Sequence, residues 1–287
     1  MKTPSTERLP DWLRRPIADR VSRGEARRAV AGLHTVCEEA RCPNRGVCSG
    51  RDRTATFLLM GPGCSRDCRF CSVASGPVPL DADEPAKVAR AAAAMGLKYV
   101  VLTSTTRDDL PDGGAAHFAA TIEAVREEAG ALVEVLVPDF GGREESVDRI
   151  LRAEPAVFGH NVETVPRLYP EARPASDYGR SLGVLARAAA AGVVTKSALM
   201  LGLGESEAEV HDVFRDLLSV GVRALAVGQY LRPGKDQLPV ARYWTPGEFD
   251  GMAAAARDAG FAAVACAPYV RSSYRAAEVY EECLGAV

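Results

Sequence analysis

Residues 56–71 read TFLLMGPGCSRDCRFC. Phe57, Leu58, Leu59 and Met60 make a short apolar run, which predicts a buried strand. Gly61-Pro62-Gly63 ends it with turn residues. Cys64, Cys68 and Cys71 follow at C-x3-C-x2-C spacing, with Phe70 just before the last. Three thiolates on one short loop suit three corners of a cubic iron–sulfur cluster. The loop offers no fourth ligand, so one iron would stay open to an outside molecule. A structural zinc site wants four closed ligands, commonly in paired knuckles, and one uneven triplet does not supply them.

Upstream, residues 35–50 (TVCEEARCPNRGVCSG) hold Cys37, Cys42 and Cys48 at C-x4-C-x5-C spacing around the turn residues Pro43 to Gly46. Six of the eight cysteines therefore fall between positions 37 and 71. That density points to metal or redox chemistry rather than disulfides. The remaining two are Cys266, ending an apolar strand as a buried thiol, and Cys283, incidental in a terminal helix. Residues 1–30 carry Arg14, Arg15, Arg20, Arg23, Arg27 and Arg28 among Pro4, Pro10 and Pro16. They read as a solvated arm or as a basic surface that docks an acidic partner or packs over the barrel, with a helix predicted over residues 18–33.

The chain has 287 residues, with 47% hydrophobic and 25% charged and a net charge of −3. These values fit a globular protein and give no bulk basic field for nucleic acid. No apolar run approaches the ~20 residues of a membrane helix, and residues 1–16 lack the apolar core of a signal peptide. The expectation is a cytoplasmic protein with neither nucleic acid nor membrane as partner.

Downstream of Cys71 the pattern alternates. Apolar runs over residues 97–103, 132–137, 156–160, 193–201, 224–230 and 261–266 predict strands. Segments 84–95, 114–128, 143–152, 181–191, 205–220 and 245–259 predict helices, the last opening with a Thr245 cap and Pro246 in the first turn. Repeated strand–helix units predict parallel strands with right-handed crossovers. With the strand before Cys64 there are about six units, short of a full barrel. Polar or glycine residues follow the strands: Thr103 and Ser104, Asn161 and Glu163, Gly202 and Gly204, Gln229 and Leu231. Converging on one mouth they suit a polar cosubstrate, although strand-end loops are polar in any such fold. His160 reads as a satisfied core or loop histidine. Residues 271–274 (RSSY) read by local physics as the N-cap of a helix over residues 275–284.

A strand followed by C-x3-C-x-aromatic-C resembles the signature of radical S-adenosylmethionine (SAM) enzymes, whose open iron chelates the amino and carboxylate groups of SAM. The joined pattern, with Cys37-x4-Cys42-x5-Cys48 before it and Arg271-Ser272-Ser273-Tyr274 after it, resembles the lipoyl synthase family. So do residues 103–114 (TSTTRDDLPDGG), 134–140, 160–169 (HNVETVPRLY), 196–205 (KSALMLGLGE) and 228–250.

The resemblance implies an α/β fold, a partial (β/α)6 radical-SAM barrel with N-terminal and C-terminal extensions, divided as residues 1–53, 54–265 and 266–287. It implies two [4Fe-4S] clusters facing one cavity. Cys64, Cys68 and Cys71 would hold the SAM cluster, and Cys37, Cys42 and Cys48 an auxiliary one. The family pattern places the auxiliary cluster's fourth ligand on Ser273, whereas residue physics leaves Ser272 and Ser273 both open. Thr103, Ser104, Asn161, Glu163, Gly202, Gly204, Gln229 and Leu231 would line the SAM site. The implied reaction inserts two sulfur atoms, at carbons 6 and 8 of a protein-bound octanoyl-lysine chain, with SAM-derived radicals abstracting hydrogen and the auxiliary cluster giving up sulfur. The implied partners are octanoylated lipoyl-carrier proteins (glycine cleavage H protein and 2-oxoacid dehydrogenase E2 lipoyl domains) and an electron donor such as ferredoxin or flavodoxin. Two other readings compete. One is a different two-cluster radical SAM enzyme, a biotin sulfur inserter or a methylthiotransferase. The other is a zinc-stabilised interaction module without catalysis.

Overall fold

Runs of Val, Leu and Ala buried on both faces are what a parallel sheet covered by helices requires, and the computed structural model builds one from them. It describes residues 9–14, 32–39 and 54–285, with the backbone alone for Cys37 and Glu38. Cys42, Cys48 and nearly all of the helix predicted over 18–33 lie outside the described residues. The elements in chain order are α1 (Val36–Glu39), β1 (Thr54–Leu59), β2 (Gly63–Cys64), β3 (Ala74–Ser75), α2 (Glu84–Ala94), β4 (Tyr99–Ser104), α3 (Ala115–Ala129), β5 (Leu132–Leu136), α4 (Glu144–Arg152), β6 (Val157–Gly159), α5 (Tyr169–Ala172), α6 (Tyr178–Ala190), β7 (Val194–Leu201), α7 (Glu207–Ser219), β8 (Ala224–Gln229), α8 (Pro246–Ala259), β9 (Ala263–Cys266) and α9 (Ala276–Gly285). The main sheet runs β1-β4-β5-β6-β7-β8-β9, with every pairing parallel. Six strand–helix units precede β9, which adds a seventh strand. Capping boxes start two of the outer helices, Ser206 with Glu209 on α7 and Thr245 with Glu248 on α8.

The sheet is curled, and α9 shows it. Ala276 packs on Tyr99 and Val101 of β4, while Cys283 packs on Ala224 of β8 and Ala263 of β9. In a flat sheet β4 and β9 would lie about 24 Å apart. Seven residues of helix rise only about 10 Å, so the strands must wrap around α9. This helix therefore lies across the lumen at the amino ends of the strands. Tyr99 donates to Glu134 Oε2 at 2.8 Å, and Lys196 Nζ to Glu134 Oε1 at 2.9 Å, giving the floor a buried polar network. Cys283, read from sequence as incidental in a terminal helix, is fully buried there. Cys266 is half-buried and donates its thiol to Phe249 O. No helix among the described residues is long and apolar enough to cross a membrane.

Small residues line the lumen on β7 to β9. Val270, in the segment between β9 and α9, packs on Ala198 and Ala226. A Cβ on Gly228 would lie 2.1 Å from Val270 O, so a side chain there would exclude the segment.

Candidate active site

The cysteine loop hangs from the carboxyl end of β1. Met60 (φ 64) and Gly61 (φ 79) reverse the chain. Gly63–Cys64 then pairs with Ala74–Ser75, and Gly76 N–H donates to Cys64 O at 2.8 Å, so the loop closes on itself. A Cβ on Gly63 would meet Gly76 O at 1.9 Å, which explains the glycine. Cys71 N–H donates to Cys68 O at 2.9 Å, placing those two cysteines on one turn. The Cys64 and Cys71 sulfurs accept from Arg66 N and Val73 N.

Loops after the other strands fasten this ring across the mouth. Thr105 Oγ1 donates to Gly63 O at 2.8 Å, and Arg107 Nη1 to Met60 O at 3.1 Å. Arg69 N–H donates to Ala172 O, and Leu238 N–H to Arg69 O. Phe70 packs against Tyr230 and Leu238. Beneath the ring Arg66 forks to Asp108 at 2.7 and 2.9 Å and to Asp139 at 2.7 and 3.0 Å. Burial pushes the Asp139 carboxyl up, but the Arg66 hydrogen bonds and charge outweigh it and hold it at about 2.

The three thiols are half-buried. Burial pushes Cys68 up, opposed by the Arg173 guanidinium, and pushes Cys71 up to about 11. Arg173 is itself buried. Its Nη1 donates to Asn161 O, Val162 O and Tyr169 Oη, while its Nε has no partner among the described residues. A buried, unpaired N–H on a cation beside a thiol is a donor suited to thiolate or sulfide. Among the described residues no three His, Cys, Asp or Glu side chains close on one ion-sized point. Three free thiols on a constrained ring, with a cation alongside, fit a cube whose corners are ligated separately. They do not offer the closed tetrahedron of zinc.

The RSSY segment reaches the same mouth. Ser272 Oγ donates to Asn161 Oδ1 at 3.1 Å, and Asn161 Nδ2 donates to Glu163 Oε1 at 3.1 Å. Glu163 lies within electrostatic reach of Cys68, Cys71, Arg173 and Arg271, and burial pushes its carboxyl up. The local reading of Ser272 as a helix cap gives way to this long-range bond, since α9 begins only at Ala276. Among the described residues the Ser273 hydroxyl has no hydrogen-bond partner. Cys37 lies in α1, which packs against β1, and Ser72 Oγ donates to Glu39 O at 3.5 Å.

The remaining strand-end residues divide. Ser104 Oγ is buried and has no partner among the described residues. Thr103 Oγ1 donates to Leu136 O across the sheet. Leu231 is half-buried at the end of β8, and Gly204 O accepts from Arg167. Gly202 and Gln229 are packed together: a Cβ on Gly202 would lie 2.2 Å from Gln229 Nε2. The Gln229 amide donates to Tyr230 O and Arg242 O and accepts from Trp244 N. The structure thus gives Gln229 internal partners rather than an opening to the mouth. His160 donates Nδ1 to Val137 O, and burial lowers its pKa to about 4, so it is neutral, and its Nε2 has no partner among the described residues. Arg66 and Arg173 escaped the sequence reading. The available signals were an arginine inside the cysteine loop and one directly before Pro174 in a strand-end loop.

A curled parallel sheet with a three-thiol ring at its mouth is the architecture of a radical SAM enzyme. The family model for the Radical SAM superfamily matches residues 58–217. Coproporphyrinogen III oxidase from Escherichia coli, a radical SAM enzyme, shares the fold at TM-score 0.53 and 14% identity, over 77% of this chain and 57% of its own. "Lipoyl synthase 2" of Gloeobacter violaceus is 53% identical over 96% of this chain and 96% of its own. "Lipoyl synthase" of Methylococcus capsulatus is 54% identical over 94% of this chain and 85% of its own. The chain belongs to the lipoyl synthase family. It is therefore an enzyme, a radical SAM sulfurtransferase that forms the lipoyl group by inserting sulfur. Family membership carries a [4Fe-4S] cluster and SAM with it.

Proposed function

We propose that Cys64, Cys68 and Cys71 hold that cluster, with one iron left for SAM. When bound, the cluster supplies the electron that cleaves SAM and so allows hydrogen abstraction from an unactivated carbon. The chain's own part is positional. Arg66, clamped between Asp108 and Asp139, fixes the ring over the lumen. Arg173 keeps a cation against the ligating sulfur of Cys68 and the Glu163 carboxylate. Asn161, Glu163 and Ser104 supply polar groups on the side facing SAM. The ring and the loops bonded to it keep water from the reacting carbon.

The sulfur comes from a second [4Fe-4S] cluster, consumed as a substrate. Cys37, Cys42 and Cys48 of the N-terminal arm (residues 1–53) ligate it, and Ser273 of the C-terminal segment (residues 266–287) is the fourth ligand. An oxygen ligand holds that cluster less uniformly than thiolate would. The observation that carries this reading is the 3.1 Å bond from Ser272 to Asn161. It supports a C-terminal motif that shares the mouth with the cysteine ring, with Ser273 left over as a ligand. The acceptor chain is an octanoyl-lysine on a small carrier: the H protein or an E2 lipoyl domain. Ferredoxin or flavodoxin delivers the electrons.

Anaerobic iron and sulfide analysis tests the assignment. The wild-type chain is expected to hold about eight of each, and Ala replacements of either cysteine triplet about four. A triplet whose loss leaves the full iron count is not a ligand set.

A further inference from the structure

Ser272 and Glu163 are connected through one side chain whose orientation is fixed at both ends. Asn161 turns its Nδ2 to Glu163 Oε1 and so leaves its Oδ1 for a donor. Ser272 supplies that donor, 111 residues away in sequence. The frame on the Asn161 side is rigid. Arg173 Nη1 grips Asn161 O at 3.1 Å. Glu163 sits at φ 66, a strained conformation for a residue with a side chain, and is held by Glu163 N–H to Ala198 O at 3.0 Å and Met200 N–H to Glu163 O at 2.8 Å. The run leading into the RSSY segment is held by backbone bonds, Gln229 N–H to Pro268 O at 3.1 Å and Val270 N–H to Ala267 O at 3.0 Å. Tyr274 N–H bonds back to Arg271 O within the turn, and Val270 rests on Ala198 and Ala226. Ser272 is the hydroxyl that ties this segment to Asn161 and, through it, to Glu163.

We propose that Ser272 is a positioning residue that couples SAM binding to the seating of Ser273 on the auxiliary cluster, through Asn161 and Glu163. The inference rests on the proposed roles of Asn161 and Glu163 toward SAM and of Ser273 as ligand. Coupling of this kind is reciprocal. SAM, by ordering Glu163 and Asn161, tightens the segment, and a seated Ser273 tightens the SAM site. The one-residue step between Ser272 and Ser273 turns one hydroxyl to the protein and leaves the other for iron.

The test compares Ser272→Ala, Ser272→Thr and Ser273→Ala in the anaerobically loaded protein. Three quantities are read: iron content, SAM affinity, and the change that SAM causes in the electron paramagnetic resonance spectrum of the auxiliary cluster. Ser272→Ala is expected to keep about eight iron, to bind SAM roughly tenfold more weakly, and to lose the SAM-induced spectral change. Ser272→Thr keeps the hydroxyl and is expected to restore both. Ser273→Ala is expected to alter the auxiliary spectrum even without SAM. Wild-type SAM affinity together with a wild-type spectral response in Ser272→Ala would overturn the coupling. Loss of about four iron in Ser272→Ala but not in Ser273→Ala would make Ser272 the ligand and overturn it too. If Ser273→Ala leaves the spectrum untouched while Ser272→Ala loses SAM affinity, the ligand assignment fails and the link from Ser272 to the SAM site stands.

Discussion

Arg66 Nη2 lies 2.7 Å from Asp139 Oδ1, with both side chains buried beneath the cysteine ring. One end of this pair belongs to the ring and the other to the loop after β5, so the ion pair sets the height of the thiols above the lumen. Removing one partner of a buried pair typically costs about 3–5 kcal/mol. Asp108 still holds Arg66, so Asp139→Asn is expected to lose about 3 kcal/mol in urea unfolding of the metal-free chain. Asp108→Asn, on the more exposed partner, should lose less. Equal losses would show that burial does not distinguish the two contacts.

The same pair sets an acid limit. The Asp139 carboxyl is held at about 2, below its usual value of 3.8. Its contribution is complete above about pH 4 and disappears as pH falls toward 2. The shift corresponds to roughly 2 kcal/mol. Metal-free wild type should therefore lose more stability than Asp139→Asn between pH 5 and pH 2.5. Parallel losses in the two proteins would contradict the assignment.

Gly63→Ala places a Cβ where Gly76 O stands, 1.9 Å away. The β2–β3 pairing must open to admit it. The expected result is a chain with wild-type circular dichroism that holds about half the iron, because the ring no longer presents its three sulfurs together. Full iron would mean that the ring tolerates the shift.

Gly228→Ala acts from the opposite side. Its Cβ would meet Val270 O at 2.1 Å and Arg271 Nη1 at 3.0 Å, displacing the segment that carries Ser273. The expected effect is loss of lipoyl formation, with SAM cleavage retained on the cluster of the cysteine ring. Unchanged product formation would separate the C-terminal segment from the chemistry.

Arg173→Met removes the cation beside Cys68 and Glu163. A fixed positive charge favours the more negative, reduced cluster. The midpoint potential of the cluster on Cys64, Cys68 and Cys71 should fall, as read by a potentiometric resonance titration. An unchanged potential would place the guanidinium too far away to act on the cluster.

The barrel was legible because its strands and helices obey local rules. Residues 97–103 and 245–259 fall within two residues of β4 and α8, the latter marked by its Thr245 cap and Pro246. The cysteine ring was legible as a spacing. Its fastening was not, because Arg66 bonds Asp139 across 73 positions and no local pattern encodes such a pair. Ser272 read as a helix cap for the same reason: its partner Asn161 lies in another strand-end loop. Gln229 shows the limit of strand-end reasoning. A polar residue there looks the same in sequence whether it faces the lumen or packs outward on Arg242 and Trp244, as it does here. Cys283 read as incidental because nothing in a short terminal helix reveals that the helix fills a barrel floor.

The most direct measurement is anaerobic turnover of an octanoyl-lysine peptide with SAM and dithionite, followed by mass spectrometry. The account predicts product with two sulfur atoms added, at carbons 6 and 8, and drawn from the protein's own sulfide. Uptake of sulfur only from added sulfide, or SAM cleavage with no sulfur added to the peptide, would contradict it.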